Sequence, residues 1–132
     1  MKIPLYQLDA FARRQFAGNP AAVCPLKAWL PAATMQAIAA ENNLSETAYL
    51  LPRGEDWELR WFTPTLEIDL CGHATLAAGE VVLRYLRPGT KRVRFHTLRA
   101  GVLAVEAQGE WLELDFPARP PRIAEPPAGL LE

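Results

Sequence analysis

The segment Cys71-Gly72-His73 brings a thiol, a glycine and an imidazole together at the start of a strongly apolar stretch. From His73 to Leu86 the residues are apolar nearly all round, which predicts a helix buried inside a domain. The backbone N–H groups in the first turn of a helix have no partner within it, and that end carries partial positive charge. The segment is therefore a candidate binding site for a carboxylate or another anion.

The same three residues also have a purely structural interpretation. Gly72 can serve as a turn residue, Cys71 as a small buried hydrophobe, and His73 as a hydrogen-bonded helix opener. Residue types alone favour this structural interpretation, because one short motif is only weakly specific.

Further motifs shift the balance towards a reaction site. They are Gln7-Leu8-Asp9-Ala10-Phe11 with Gly18-Asn19-Pro20, then Asn43-Leu44-Ser45-Glu46, Phe62-Thr63-Pro64 and Leu70-Cys71-Gly72-His73-Ala74-Thr75. In this order and at this spacing they resemble the first half of the PhzF-like proteins, the phenazine-biosynthesis family of cofactor-independent isomerases. The resemblance runs from about Leu5 to Phe116.

The resemblance implies the fold of diaminopimelate epimerase, with two similar α/β halves and an active site between them. Each half is a curved sheet round a central helix, and both central helices point their N-termini at the site. We therefore expect residues 1–116 to form an α+β half-domain, a curved, mainly antiparallel sheet round a helix from about Gly72 to Leu86. Residues 117–132, which are rich in proline, are expected to be a connector toward a missing second half.

Glu46 stands at the position where, by this resemblance, PhzF-like enzymes carry their general acid/base. A carboxylate in a dry pocket is a competent proton carrier near neutral pH, whereas the alternative is a solvated loop carboxylate. Gly72 permits close approach to its backbone N–H, and His73 can both donate and accept a hydrogen bond. We expect both to bind the substrate, with no cofactor and no metal.

The remaining candidates are Cys71, Asn19, Glu67 and Asp69. In diaminopimelate epimerase and proline racemase a cysteine before this glycine is one of two thiol acid/base groups, and a helix N-terminus would lower its pKa. PhzF-like proteins use the Glu46 position instead, so we expect Cys71 to line the wall of the substrate site. Asn19 either binds substrate or forms an Asn-Pro turn. Glu67 and Asp69 are candidates to orient the histidine from behind.

Hydrophobic periodicity predicts the elements that position these residues. The predicted strands are 3–11, 21–25, 47–51, 57–61, 93–97, 102–107 and 111–116, and the predicted helices are 31–42 and 72–86. Pro52 is expected to end the third strand, and His96 to lie on a surface face. Leu76, Ala77, Val81 and Leu83 are expected to be buried in the central helix.

Composition limits the partners. The chain has 14 basic and 15 acidic residues and a net charge of −1, so neither nucleic acid nor an anionic membrane is an implied partner. No apolar run reaches the length of about 18 residues that a membrane span requires. Cys24 and Cys71 have neither metal-site spacing nor a disulfide framework. We expect a cytoplasmic protein.

These features predict an isomerase or epimerase that moves a proton on a small carboxylated metabolite, with Glu46 as the acid/base. Since only one half of the active site is present, we expect this half to be open to water and inactive alone. Its partner would be a second copy of the chain or the missing C-terminal half. The open alternatives are a non-catalytic binding or assembly module, and a half-domain that dimerises to imitate the two-half fold.

Overall fold

This computed structural model describes residues 1–130, and it contains a single mixed β-sheet and two helices. The strands are β1 (Tyr6–Ala10), β2 (Asn19–Pro25), β3 (Glu46–Arg53), β4 (Asp56–Phe62), β5 (Glu67–Ile68), β6 (Arg92–His96), β7 (Val102–Gln108) and β8 (Trp111–Asp115). The helices are α1 (Ala32–Asn42) and α2 (Gly72–Val81), and a π-helical turn, Val82–Leu86, continues α2. Neither helix is long and apolar enough to cross a membrane.

The sheet has the strand order β1-β2-β3-β4-β6-β7-β8, with the short β5 paired to β4. The pairs β2–β3 and β4–β6 are parallel, and the other neighbours are antiparallel. The connection between β2 and β3 contains α1, as a parallel pair requires a crossover. The predicted mainly antiparallel sheet is confirmed.

Helix α2 is the centre of this sheet. It contacts β1, β2 and β3 near one edge and β7 and β8 at the other. Because the first and last strands touch the same helix, the sheet must curl round it. Ala77, Val81 and Leu83 are buried as predicted, whereas Leu76 is only partly buried. The predicted half-domain fold, a curved sheet round an apolar helix, is confirmed.

Side-chain alternation along β3 separates two cores. Ala48 and Leu50 belong to the inner core round α2, and Tyr49 belongs to the outer core under α1. Glu46 has the same parity as Ala48, so its side chain faces the inner core and the central helix. The two cysteines follow the same division, since Cys71 lies in the inner core and Cys24 in the outer one.

A glycine allows α2 to lie close to the sheet. A Cβ added at Gly79 would lie 2.5 Å from Cγ1 and 2.7 Å from Cβ of Val105 on β7. Any side chain here would therefore force the helix away from the strand. The position of the N-terminus of α2 is consequently fixed by close packing about two helical turns further along the chain.

Strand β3 continues beyond the predicted end. It runs through Pro52 to Arg53, and Pro52 pairs with Trp57 of β4. The pairing of β3 with β2 ends at Leu50, so no strand of the described chain needs the missing N–H of Pro52 on that side. The proline is tolerated because this part of β3 is an edge.

Two further expectations need correction. The central helix is regular only to Val81, and its last five residues form the π-helical turn. His96 is half-buried rather than on a surface face, since its Nε2 lies 2.7 Å from Oδ2 of Asp56. Asp56 also accepts two hydrogen bonds from Arg94, so the three side chains form one cluster at the outer end of β4.

Residues 117–130 are exposed and contain neither helix nor strand. The division of the chain at residue 116 stays a prediction. The last two residues of the predicted connector, 131 and 132, lie outside the described part.

Candidate functional site

The start of β3 holds Glu46 against the N-terminus of α2. Helix α1 ends where Asn43 adopts a left-handed conformation, with φ 50°, and the chain then turns into β3. The Asn42 side-chain amide donates a hydrogen bond of 3.0 Å to the hydroxyl of the buried Thr47. Glu46 itself pairs in register with Ala21 of β2, so the neighbouring strand also fixes its position.

The start of α2 brings Cys71 and His73 to the same place. Cys71 precedes the helix in an extended conformation, with φ −145° and ψ 118°. The Thr75 hydroxyl donates a hydrogen bond to the Cys71 carbonyl, which holds the entry to the helix. No acidic residue lies in the first turn of α2, so Glu46 from β3 supplies the negative charge at its positive end.

Glu46 and His73 form the centre of the candidate site. Oε2 of the carboxylate lies 3.0 Å from Nε2 of the imidazole, and the side chains are only 15% and 10% exposed. The contact has ion-pair distance but the wrong direction for a hydrogen bond, so neither atom has a hydrogen-bond partner within residues 1–130. Buried polar atoms without such partners are costly, and a bound water, an ion or a ligand would relieve that cost here.

The predicted exposure of this half of the site to water is wrong for these side chains. Strands β2 and β4 flank β3, and α2 covers its inner face, so a single half already encloses most of the Glu46–His73 pair. A second half is therefore not needed to bury these two groups.

Cys71 contacts the other side of the imidazole. Its Sγ lies 3.3 Å from Nδ1 of His73. Burial is the largest influence on the thiol and raises its pKa to about 11, while the Ala74 backbone N–H acts in the opposite direction and Glu46 raises it further. The expectation that the helix N-terminus lowers this pKa is wrong, because desolvation outweighs the helix end.

The raised pKa gives the thiol a definite hydrogen-bonding role. At neutral pH it keeps its proton, so toward a neutral imidazole it donates to Nδ1. The imidazole proton then resides on Nε2, the nitrogen next to Glu46. Cys71 therefore selects the tautomer of His73 that carries its proton on Nε2, the nitrogen 3.0 Å from the carboxylate, although this N–H does not point at the Glu46 oxygen.

Asn19 lies at the same end of the sheet as Glu46. It is the first residue of β2, and its Oδ1 accepts a hydrogen bond of 3.2 Å from the Ser45 hydroxyl. This contact ties the start of β2 to the residue that precedes Glu46. Asn19 thus braces the site, and its binding of substrate stays a prediction.

Gly72 has room for a methyl group on its side-chain face. An added Cβ would make ordinary contact, at 3.7 Å, with the ring of Phe116. The fold itself therefore does not require glycine here, in contrast to Gly79. Close approach of a ligand to the Gly72 N–H would explain the residue, and this stays a prediction.

Glu67 and Asp69 do not orient His73, so that expectation is wrong. Both Glu67 oxygens accept hydrogen bonds from Arg60, at 2.7 and 2.8 Å. Asp69 is largely exposed and lies 3.6 Å from Arg99. The imidazole is flanked instead by Cys71 and Glu46, a grouping that motif spacing alone did not predict. The sequence signal for this grouping is the alternation of side chains along β3, which turns Glu46 toward α2.

Comparison with known proteins gives one family. The family model described as "Phenazine biosynthesis-like protein" (PhzC-PhzF) matches residues 8–123. An uncharacterized isomerase of Pseudomonas aeruginosa is 53% identical over 132 residues, which are 100% of this chain and 51% of that protein. The human phenazine biosynthesis-like domain-containing protein is 41% identical over 128 residues, covering 91% of this chain and 44% of that one.

Solved structures agree. A PhzF family protein of Enterococcus faecalis superposes with a TM-score of 0.87 at 51% identity, over 96% of this chain and 49% of that chain. A predicted epimerase of Pseudomonas aeruginosa superposes with a TM-score of 0.71 at 30% identity, over 84% and 41%. The chain spans about half the length of the curated relatives it matches. Its motifs, its curled sheet and these matches agree that the chain belongs to the phenazine biosynthesis-like family.

Proposed function

We propose that this chain supplies one half of the active site of an isomerase or epimerase that works without a cofactor. The substrate class is a small carboxylated metabolite. The observation that carries the proposal is the buried Glu46–His73 pair, in which two polar atoms lie side by side and lack hydrogen-bond partners within residues 1–130. The names of the relatives, an isomerase and a predicted epimerase, support the reaction class.

In the proposed reaction Glu46 is the general acid/base. Its carboxylate removes a proton from a substrate carbon, so that a C–H bond breaks and an O–H bond forms on Glu46. The protonated carboxyl then returns the proton to a carbon of the same molecule, and the enzyme ends as it began. A carboxylate that is 15% exposed beside an imidazole can hold that proton between the two steps, and while it is held the proton exchanges with solvent in a fraction of turnovers.

His73 and the first turn of α2 orient the substrate in this scheme. Nε2 of His73, fixed by the Cys71 thiol on the other side of the ring, donates to a substrate oxygen or nitrogen beside Glu46. The Gly72 N–H, at the positive end of the helix, binds the substrate carboxylate. Cys71 is a positioning residue here and carries no proton to substrate carbon.

The other side of the site comes from a further chain segment or a second copy. The relatives are about twice as long as this chain, which supports a second half as the partner. We propose that the 132 residues alone bind substrate weakly and turn it over poorly. The buried site favours an enzyme over a non-catalytic assembly module, because an assembly module has no use for the unpartnered Glu46–His73 pair.

Solvent exchange tests this function with a panel of compounds and does not require one substrate to be chosen first. The chain is joined to the C-terminal half of the Pseudomonas aeruginosa isomerase, and the chimera is incubated in deuterium oxide with a panel of small hydroxy and amino carboxylates. Proton NMR should show loss of one C–H signal for at least one compound. The proposal fails if the intact relative exchanges a compound and the folded chimera exchanges none.

A further inference from the structure

Glu46, Cys71 and His73 bring three different metal-ligating groups together. One ligand atom from each residue, a carboxylate oxygen, a sulfur and an imidazole nitrogen, lies within 4.8 Å of the other two. Cys71 and His73 are buried, and Glu46 is only 15% exposed. These residues come from two elements, β3 and the start of α2, which the inner core holds together.

We propose that this trio is a binding site for Zn²⁺, which would occupy it in competition with substrate. Zinc is the common divalent ion that accepts nitrogen, sulfur and oxygen ligands together, whereas magnesium and calcium require oxygen. Three protein ligands leave the fourth tetrahedral position open. The ligands of a tetrahedral zinc lie about 3.3 to 3.8 Å apart, so side-chain rotation closes the trio round an ion.

The unpartnered atoms point independently to a ligand. Nε2 of His73 and Oε2 of Glu46 have no hydrogen-bond partner within residues 1–130, although both are almost inaccessible. A cation held between the carboxylate and the imidazole satisfies the Glu46 oxygen directly. Binding needs the Cys71 thiolate and Nε2 of His73 without its proton, so the thiol proton passes to Nδ1 and the Nε2 proton leaves to solvent, one proton for each ion.

The inhibitory effect rests on the proposed function, but the binding does not. An ion on Glu46 takes up the lone pair that would receive the substrate proton, and an ion on His73 displaces the group that orients the substrate. Zinc is therefore an inhibitor of this site and not its cofactor.

Binding is measured directly on the purified chain with Zn²⁺ alone, by isothermal titration calorimetry. We expect one ion per chain, with a dissociation constant of about 1 μM or tighter. Co²⁺ then replaces Zn²⁺ as an optical probe, and a sulfur-to-cobalt charge-transfer band should appear because Cys71 is a ligand.

The chain offers matched controls. Removing a residue that only hydrogen-bonds to a metal ligand lowers metal affinity about 10- to 100-fold. Cys71→Ser and Glu46→Gln change ligands themselves, so each should lower zinc affinity by at least that factor. Cys24→Ser should leave both affinity and the charge-transfer band unchanged, because Cys24 is buried on the opposite face of the sheet. His96→Gln controls for the second histidine. Circular dichroism checks the fold of each variant, and Glu46→Gln carries the test if Cys71→Ser unfolds.

The outcomes separate the two proposals. The metal site is overturned if the chain binds no zinc. It is also overturned if Cys24→Ser or His96→Gln lowers zinc affinity as much as Cys71→Ser and Glu46→Gln do. Zinc binding that depends on Cys71 and Glu46 supports it, even if the chimera shows no solvent exchange. Competition at this site is supported if zinc inhibits solvent exchange in the unmutated chimera and not in its Cys71→Ala variant. The inhibitory role is overturned if bound zinc leaves solvent exchange in the chimera unchanged.

Discussion

Nε2 of His73 lies 3.0 Å from Oε2 of Glu46, and the two atoms come from different elements, the first turn of α2 and the first residue of β3. Neither atom has a hydrogen-bond partner within the described chain. The contact joins a candidate proton carrier to a candidate substrate-binding group. Its chemical use is open to direct tests.

Glu46→Gln should abolish most of the proton transfer. Glutamine keeps the shape of the side chain and removes the titrating group, so solvent deuterium exchange in the chimera should fall about 100-fold or more. Glu106→Gln, at a half-exposed surface carboxylate, is the matched control and should retain full exchange. Equal exchange by Glu46→Gln and the parent would remove Glu46 from the mechanism.

Cys71→Ala should cost far less than Glu46→Gln in the same assay. The thiol fixes the tautomer of His73 through a contact of 3.3 Å but takes no proton from carbon. The variant should alter substrate affinity and the pH profile of exchange more than its maximal rate. If Cys71→Ala abolishes exchange while Glu46→Gln retains it, the site works like the two-thiol racemases.

The Cys71 thiol should resist alkylation in the folded protein. Burial raises its pKa to about 11, so the reactive thiolate is scarce at pH 7 and its fraction grows as the pH rises toward that value. The Cys24→Ser variant isolates Cys71, and mass spectrometry follows its reaction with iodoacetamide. A fast reaction at pH 7, with a rate that does not increase at higher pH, would indicate a low pKa of Cys71 and contradict the structure.

Gly79→Ala should destabilise the fold. The added methyl would lie 2.5 Å from Cγ1 of Val105, and overpacking of this kind costs about 1 to 3 kcal/mol in the free energy of unfolding. Gly72→Ala is the control, because its methyl finds ordinary contact at 3.7 Å. Urea unfolding should separate the two variants, and equal midpoints would mean that α2 does not pack on β7 as described.

The chain should self-associate or bind the C-terminal half of a relative. A cleft between the edge strands β1 and β8 is lined by exposed aromatic side chains, Phe11, Tyr85 and Trp111. Exposed apolar patches and free strand edges both favour association. Sedimentation velocity should detect a dimer, or a complex with the separately expressed half. If the chain stays monomeric at high concentration and does not bind the separately expressed half, both forms of association are ruled out.

The elements and their order followed from the sequence because they depend on local patterns. Alternation along Trp57–Trp61 predicted a half-buried strand, and the apolar run after Gly72 predicted the central helix. Both signals are read within one element, where side-chain periodicity decides which face is buried. The family also followed from motif order, and the matches confirmed it.

Tertiary structure alone decided what these residues can do. The sequence assigned Glu67 and Asp69 to His73, whereas folding placed Arg60 beside Glu67 and Glu46 beside the imidazole. Local sequence suggested a lowered pKa for Cys71, because only its position at a helix N-terminus was visible. The core that buries this thiol is assembled from strands remote in sequence, and desolvation by those strands outweighs the helix end.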